Sequence, residues 1–584
     1  MTSFRLSAPD YLVIAGYFVI VVWIGFYFRH RLEATRDFFA GGNQIPWWLA
    51  GISHYMSSFS AFAFIAYAQM GYTYGWVAIT LFWATIPACI GGGLFFAKRW
   101  RRARLITPIE FLETRFNSLV RQLFAWAGIP MKVFDDALKI FATGLFISVS
   151  AGVNLYLAIV VCGVVMIVYA FLGGLWALVV TDYVQFVMKT LAMLLLLPLA
   201  MAAAGGWNHA FDNLPPEFLR FSGGPFGWTY ICGFIVLMTI SYNASWSLAQ
   251  KYYSVRNEKE ASKAAYFAGV LNFAGAPLMI LPAIIGRHMM PELMAQGRTA
   301  DVYVLLVMKL LPAGMVGIII TAMFSATMAM VSADFNATAG VLTKDVYERL
   351  IRPGSSEKQL LGVGRMITVA LGVLTTSLSI GIALSRKQSL FSMMVTVLGT
   401  FMAPTLLPLL AGLTVRRVTW QGALAGFGAG LANGLVFLAI KTWWIHGATY
   451  TFEGISLIAN AAATILGMVL GTMLSRRSAA ESARVDRFFA AVDTPIREAE
   501  VRQPGGNPSA PVLAVSTISV AVLIGAAGLI SGSSTARWID LGVALVLVTI
   551  GVVFRRRSSA KPAGSTSEIA DGDSFRSGYS EAQK

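Results

Sequence analysis

The stretch SHYMSSFSAFAF, residues 53–64, sets Ser53, His54, Ser57, Ser58 and Ser60 inside an apolar run long enough to cross a bilayer. Two arrangements place hydroxyls there. A hydroxyl-rich face lets helices approach closely. A helix broken near the bilayer midplane frees backbone carbonyls which, with small polar side chains, can hold an ion or a solute. A second stretch, MTISYNASWSLAQ (residues 238–250), interrupts another apolar run with Ser, Asn and aromatic residues.

Charged residues in apolar surroundings are the next chemistry-bearing group. KVFDDALKIFATG places Asp135, Asp136 and Lys139 within one embedded segment. Lys139 is i+4 from Asp135 and i+3 from Asp136, so one helical face can neutralise part of the charge while one acid is left over. The group reads either as the salt-bridged cytoplasmic end of a long helix or as a protonatable carboxylate facing a central cavity. His54 is either hydrogen-bonded to a neighbouring carbonyl or in contact with solute or proton. Asp334 is a helix-end residue at the cytoplasmic interface or an extra acid near an ion site. No metal-ligand cluster, nucleophile elbow or phosphate-binding loop is present, so the chain is not read as an enzyme. Cys89, Cys162 and Cys232 lack paired spacing and indicate neither a disulfide framework nor a metal site.

The elements that must position these residues are transmembrane helices. Of 584 residues 57% are hydrophobic and only 13% charged, far from soluble composition and fitting an all-α polytopic membrane protein whose partner is the lipid bilayer. Fifteen spans are expected, from 10–28 to 537–554, among them 124–150, 178–203 and 302–334. The net charge of +16 is spread over alternate loops, which is the positive-inside pattern and not a nucleic-acid footprint. It puts the N-terminus outside and the C-terminus inside the cell's inner membrane. The first helix has no cleavage-site pattern and is read as retained. The two interrupted segments lie five spans apart, the spacing of a five-plus-five inverted repeat whose halves each begin with a discontinuous helix. The expected organisation is an N-terminal helix and loop over 1–46, a first repeat over 47–203, a second over 228–413 and additional helices over 420–475. A cytoplasmic linker over 476–511 with a short surface helix near 480–491, two further helices over 512–554 and a disordered tail over 555–584 complete it.

Four blocks in order, RDFFAGGNQIPWWLAGISHYMSSFSAFAFIA, LITPIEFLETRF, VYAFLGGLWALVVTDYVQ and SLAQKYYSVRNEKEASKAA, resemble the sodium:solute symporter family, whose members include the sodium/glucose cotransporters. The resemblance spans residues 10–475 and implies a leading helix before the five-plus-five core, with solute between the broken helices. It implies a sodium site built from the carbonyls of Met56 and Phe59 and from the eighth core helix. There the carbonyl position falls on Ala326 and the two hydroxyl positions on Ala329 and Met330, so both hydroxyls are missing; a one-turn shift offers Ala322 and Ser325. Asp182 and Ser332 resemble the acid and hydroxyl that some relatives use for a second sodium. Tyr242 falls where sugar-transporting relatives have an aromatic gate, Ser245 where they have a polar sugar contact, and Ala63 where they have a sugar-binding Gln.

The expected function is cation-coupled, sodium-driven symport of a small polar organic solute, such as a sugar or related compound, by alternating access. Its candidate solute contacts are His54, Ser57, Ser60, Ala63, Tyr242, Asn243, Ser245 and Trp246. Sodium candidates are Met56, Phe59, Ala326, Asp182 and Ser332, and coupling candidates are Asp135, Asp136, Lys139 and Asp334. The alternatives are proton-coupled or sodium-independent transport on the same fold, or a transporter-like sensor; the working unit is expected to be a monomer. In a variant lacking the native cysteines, a cysteine at Asn213 is expected to react with an impermeant thiol reagent applied from outside, and one at Arg256 is not. The reverse pattern would invert the topology.

Overall fold

A hydrocarbon environment offers the backbone no hydrogen-bond partner except the chain itself, so spanning segments must be helices or closed barrels. The computed structural model describes residues 7–29, 35–57, 60–212, 214–311, 315–384, 390–445, 450–497, 500, 509–530 and 534–559, and every regular element among them is helical. The first half holds α1 (Ala8–Arg29), the bent pair α2 (Trp47–Met56) and α3 (Ala61–Tyr74), α4 (Val77–Arg102), α5 (Ser118–Ala151), α6 (Leu155–Phe171) and α7 (Gly174–Ala203). The second holds the bent pair α8 (Trp228–Ala244) and α9 (Trp246–Tyr253), α10 (Glu258–Met289), α11 (Met315–Gly340), α12 (Glu357–Leu384) and α13 (Leu390–Thr414). Beyond lie α14 (Trp420–Trp443), α15 (Tyr450–Leu474), the surface helix α16 (Ala479–Asp493), α17 (Ser509–Ile530) and α18 (Ser534–Ser559).

Among the described residues ten helices are long and apolar enough to cross a membrane, or up to twelve if each bent pair is one span. The expected fifteen is therefore not reached on length and apolarity. α5 carries Lys132, Asp135, Asp136 and Lys139 in its middle, and the apolar helices at 155–171 and 510–526 are short. The expected span 302–334 is also corrected: Val302–Leu310 is a separate short helix, and the long helix starts at Met315 and continues with π geometry to Ile351. Of the disordered tail expected over 555–584, residues 555–559 are helical as the end of α18, and the rest lie outside the described residues.

Two breaks and one kink shape the interior. α2 and α3 meet at 62°, α8 and α9 at 52°. Ser245 is the pivot of the second, with an extended backbone at φ −58°, ψ 133°; serine side chains compete with the helix ladder and suit such positions. Between α6 and α7, Gly174 takes φ 56°, ψ −174°, a conformation open in practice only to glycine. α11 is apolar or small on every face and is buried throughout, the behaviour of a helix at the centre of a bundle.

The helix ends beside the basic loops are tied by arginine. The Arg115 guanidinium donates to the carbonyls of Gly412 (3.2 Å), Val415 (2.9 Å), Arg416 (3.2 Å) and Val418 (2.9 Å), capping the C-terminus of α13. Arg121 pairs with Glu113 at 2.5 Å and with Asp345. The linker helix foreseen near 480–491 is α16, begun by a capping box of Ser478 and Glu481 and docked through Phe488, which stacks on Phe111 at 5.7 Å. Arg104 grips Glu500 at 2.6 Å. That hydrogen bond holds the Glu500 carboxyl below the usual carboxylate range, so the tie is complete at neutral pH and weakens as pH falls through the lowered value.

Arg115→Ala leaves several carbonyls without their donor and is expected to cost about 3 kcal/mol, read as a lower thermal midpoint in detergent. Arg115→Lys should recover only part, since an ammonium cannot span the same fork of acceptors. An unchanged midpoint in both would show that the cap does not hold α13.

Candidate functional site

Both helix breaks open onto one cavity. Ser57, Ser60 and Ala63 line it from the first break, and Ser241, Tyr242, Ser245 and Ser247 from the second. α5 adds Met131, Lys132, Asp135, Leu138 and Lys139; α11 adds Met330; α13 adds Met394, Leu398 and Met402. Counting its open mouth, the space measures about 950 Å³. Ser57 Oγ is buried and has no hydrogen-bond partner among the described residues.

The charges on α5 form the cavity's floor with α11. Lys139 Nζ lies 2.8 Å from Asp135 Oδ2, 3.0 Å from Asp136 Oδ1 and 3.1 Å from Asp334 Oδ2. Lys132 Nζ lies 2.8 Å from Asp334 Oδ1 and donates to Ser245 Oγ at 2.7 Å. This corrects two expectations. Neither Asp135 nor Asp136 lacks a cation, because one ammonium reaches both. Asp334 is not a helix-end residue: it lies inside α11 with its side chain 1% exposed. A third expectation is corrected as well: the group is not at an end of α5, which begins at Ser118, about four and a half turns earlier. Three carboxylates face two ammoniums, so the fully ionised network carries one surplus negative charge. The three carboxylates come within 4.8 Å of one another, as metal ligands do, but the Lys139 ammonium already occupies the place among them.

The remaining candidates lie behind the cavity wall. His54 is buried and stacks on Tyr252 at 5.0 Å, with Tyr242 at 5.6 Å. Asn243 turns its amide to the carbonyls of Ala88 (3.0 Å) and Thr239 (2.9 Å), serving the break and not the solute space. Trp246 packs over Gly128, where a Cβ would lie 2.4 Å from its ring. None of these three lines the cavity. Asp182, inside α7 and buried, accepts a hydrogen bond from Ser53. Lys251 and Lys189 are close enough to attract Asp182, and Lys189 also sits 3.8 Å from the centre of the Tyr55 ring. The Ser332 hydroxyl donates to the Met328 carbonyl of its own helix at 2.5 Å. Ala326 and Ala329 are buried and Met330 faces the cavity, so the positions expected to supply hydroxyls offer none. Met56 ends α2 at the first break, while Phe59 lies outside the described residues. Thr327 accepts from the Ala61 amide at 2.8 Å and from Thr143 at 2.8 Å, closing the N-terminus of α3.

Sequence reading missed Lys132, whose signal was present: it stands one turn before Asp135 and Asp136 on the face of Lys139. It also missed Lys189, seven residues beyond Asp182 on α7, and Lys251, which acquires meaning only when α9 is brought to α7.

Comparison with known proteins agrees with this geometry. Residues 38–430 match the model of the sodium:solute symporter family. The sodium/sialic acid symporter NanT of Aliivibrio fischeri is 25% identical over 490 residues, covering 81% of this chain and 95% of that protein. The sodium/glucose cotransporter 4 of Danio rerio is 27% identical over 490 residues, covering 75% and 73%. The solved structure of a Na+-coupled sialic acid symporter, substrate-bound and outward-open, superposes with a TM-score of 0.67 at 21% identity over 81% of this chain and 99% of that one.

The network makes opposite demands on two of its acids. Asp135→Asn leaves two carboxylates for two ammoniums, so the solute-free protein should melt at the same temperature or higher. Asp334→Asn removes the only carboxylate that the structure pairs with Lys132 and should cost about 3–5 kcal/mol. Both variants balance the charges, so thermal unfolding in detergent tests the geometry; the reverse order would contradict the pairing of Lys132 with Asp334.

Proposed function

The chain belongs to the sodium:solute symporter family, and from that membership we propose that it carries a small polar organic solute across the membrane together with sodium, by alternating access. The observation that carries the reading is the convergence of both helix breaks on one cavity. At a break, backbone groups and serine hydroxyls are free to bind, and a small rotation about the break changes which side of the membrane they face.

Sodium, as co-transported cargo, is assigned to the neighbourhood of Asp182 and Ser332. The usual position keeps only backbone oxygens at Met56, Phe59 and Ala326, too few for a hard cation that needs several oxygen ligands. Asp182 supplies a carboxylate and is already hydrogen-bonded to Ser53 on the first broken helix. An ion arriving there would bear directly on α2, which is the link from ion to solute site. Its arrival also has to displace the attraction of Lys251 and Lys189 for Asp182, giving the ion and those ammoniums mutually exclusive claims on one carboxylate.

The architecture that we read into the helices is a leading helix, a five-plus-five inverted repeat over 47–203 and 228–413, and four helices after it. Fifteen crossings result when α5 and the apolar segments at 155–171 and 510–526 are counted with the twelve. Basic loops place the N-terminus outside and the C-terminus inside. The working unit is the monomer, since the cavity is complete within one chain. A proton-driven variant of the scheme is favoured by one observation, the surplus charge on the Asp135, Asp136 and Asp334 network.

Uptake of a solute panel into proteoliposomes, with sodium and proton gradients imposed separately, tests the scheme. Sodium-stimulated uptake that loses its sodium dependence in Asp182→Asn, while Asp136→Asn keeps it, is the expected result. Uptake that ignores sodium, rises as external pH falls and dies in Asp136→Asn would instead establish proton coupling.

A further inference from the structure

We infer that the transported solute carries a cationic ammonium nitrogen and that Asp135 is the residue that receives it. The inference rests on the reading of the central cavity as the solute site.

The charge count comes first. The network of Lys132, Asp135, Asp136, Lys139 and Asp334 is one negative charge in surplus when ionised, and an uncompensated charge at mid-membrane depth is costly. The position of that surplus follows from exposure. The Asp135 side chain is 12% exposed and lines the cavity, whereas Asp136 and Asp334 are 3% and 1% exposed and do not. Among the described residues Asp135 and Asp136 each pair with Lys139 alone, while Asp334 has both ammoniums, and of those two acids Asp135 is the one that faces the cavity. The cavity thus presents a partly compensated carboxylate, and the missing charge is that of one monovalent cation.

The wall selects among cations. A bare metal ion among the three carboxylates would have to displace Lys139 Nζ, which holds all three at 2.8–3.1 Å. Of the three carboxylates, a solute cation approaching from the cavity meets Asp135, beside the Lys132 and Lys139 ammoniums, which line the same space and are held by Asp334 and Asp136. Phe62, Tyr67, Phe82 and Tyr242 line the same space, and aromatic faces attract organic ammonium groups when water is excluded. Ser57 Oγ, buried and without a partner among the described residues, points to a further polar group on the solute. The serines at the two breaks can meet hydroxyls on one side of a hexose, but those on the side facing Met131, Leu138, Met330, Leu398 and Met402 would be left without hydrogen bonds, so a hexose fits poorly. A purely anionic solute is opposed by the surplus charge: Lys139 already holds three carboxylates, and Lys132 holds Asp334 and Ser245.

The test is binding to the full-length protein in detergent, read as a concentration-dependent rise in thermal midpoint at constant ionic strength. The probes are choline, ethanolamine, glycine betaine and L-lysine, with glucose, N-acetylneuraminic acid and acetate as comparators. At least one ammonium probe is expected to bind, with an apparent affinity weakened about tenfold or more in Asp135→Asn and restored in Asp135→Glu. The Asn variant balances its charges, so its own midpoint reports that it is folded. Binding of glucose, N-acetylneuraminic acid or acetate with no binding of any ammonium probe would overturn the inference, as would choline binding equally well to Asp135→Asn. Failure of every ammonium probe would overturn it too. Sodium-driven uptake of another solute by the same preparation would then leave the symporter reading standing, and absence of any driven uptake would count against that reading instead.

Discussion

One ammonium shared by three carboxylates organises the interior. Lys139 holds Asp135 and Asp136 of its own helix and Asp334 of α11, and Lys132 extends the bond from Asp334 to Ser245 at the second helix break. Desolvating five charges is expensive, and their mutual attraction offsets this only if the geometry is kept. Position and charge are therefore locked together. α5 and α11 cannot slide past each other, and α8–α9 cannot pivot about Ser245, without rearranging ion pairs in a low-dielectric setting. A device that must change shape once per transported solute needs a contact of this kind, costly to break unless something arrives to replace it.

The second constraint is the satisfaction of backbone groups where helices stop inside the protein. Thr327 closes the amide end of α3, with Thr143 bonded behind it. The Asn243 amide and the Trp100 indole hold backbone carbonyls around the second break, the latter at 2.8 Å from the Asn243 carbonyl. These side chains keep the breaks dry and fixed while leaving Ser57, Ser60 and Ser245 at the cavity. Small polar residues near the breaks thus divide into those that hold the fold and those that face the solute space. The division is one of direction, not of residue type.

That division marks what the sequence could and could not reveal. The membrane class, the two interruptions and the pairing of Lys139 with the adjacent acids were legible, because they follow from composition and from spacing along one helix. His54, Asn243 and Trp246 looked equivalent to Ser57 and Tyr242, since all lie within a few residues of a break; only the bend decides which of them face the cavity. Asp334 looked like a helix end because the expected span stops at residue 334, yet α11 runs on to Gly340 and continues with π geometry to Ile351. Lys251 stands on α9, and no spacing rule connects it to Asp182 on α7; Lys189 shares α7 with Asp182 but lies seven residues on, beyond the i+3 and i+4 pairs that the sequence reading used. The span count overshot the apolar criterion for the same reason that made α5 worth attention: its charges belong to a site.

The central claim is that one transport cycle moves positive charge inward because the cavity's surplus negative charge is neutralised by cationic cargo. The most direct measurement is solute accumulation in proteoliposomes carrying a potassium diffusion potential, with no ion gradient other than that of potassium. An inside-negative potential should raise the steady-state accumulation and an inside-positive one should lower it, each by the factor that the moved charge dictates. Accumulation that is the same at either polarity would mean an electroneutral cycle and would contradict the account.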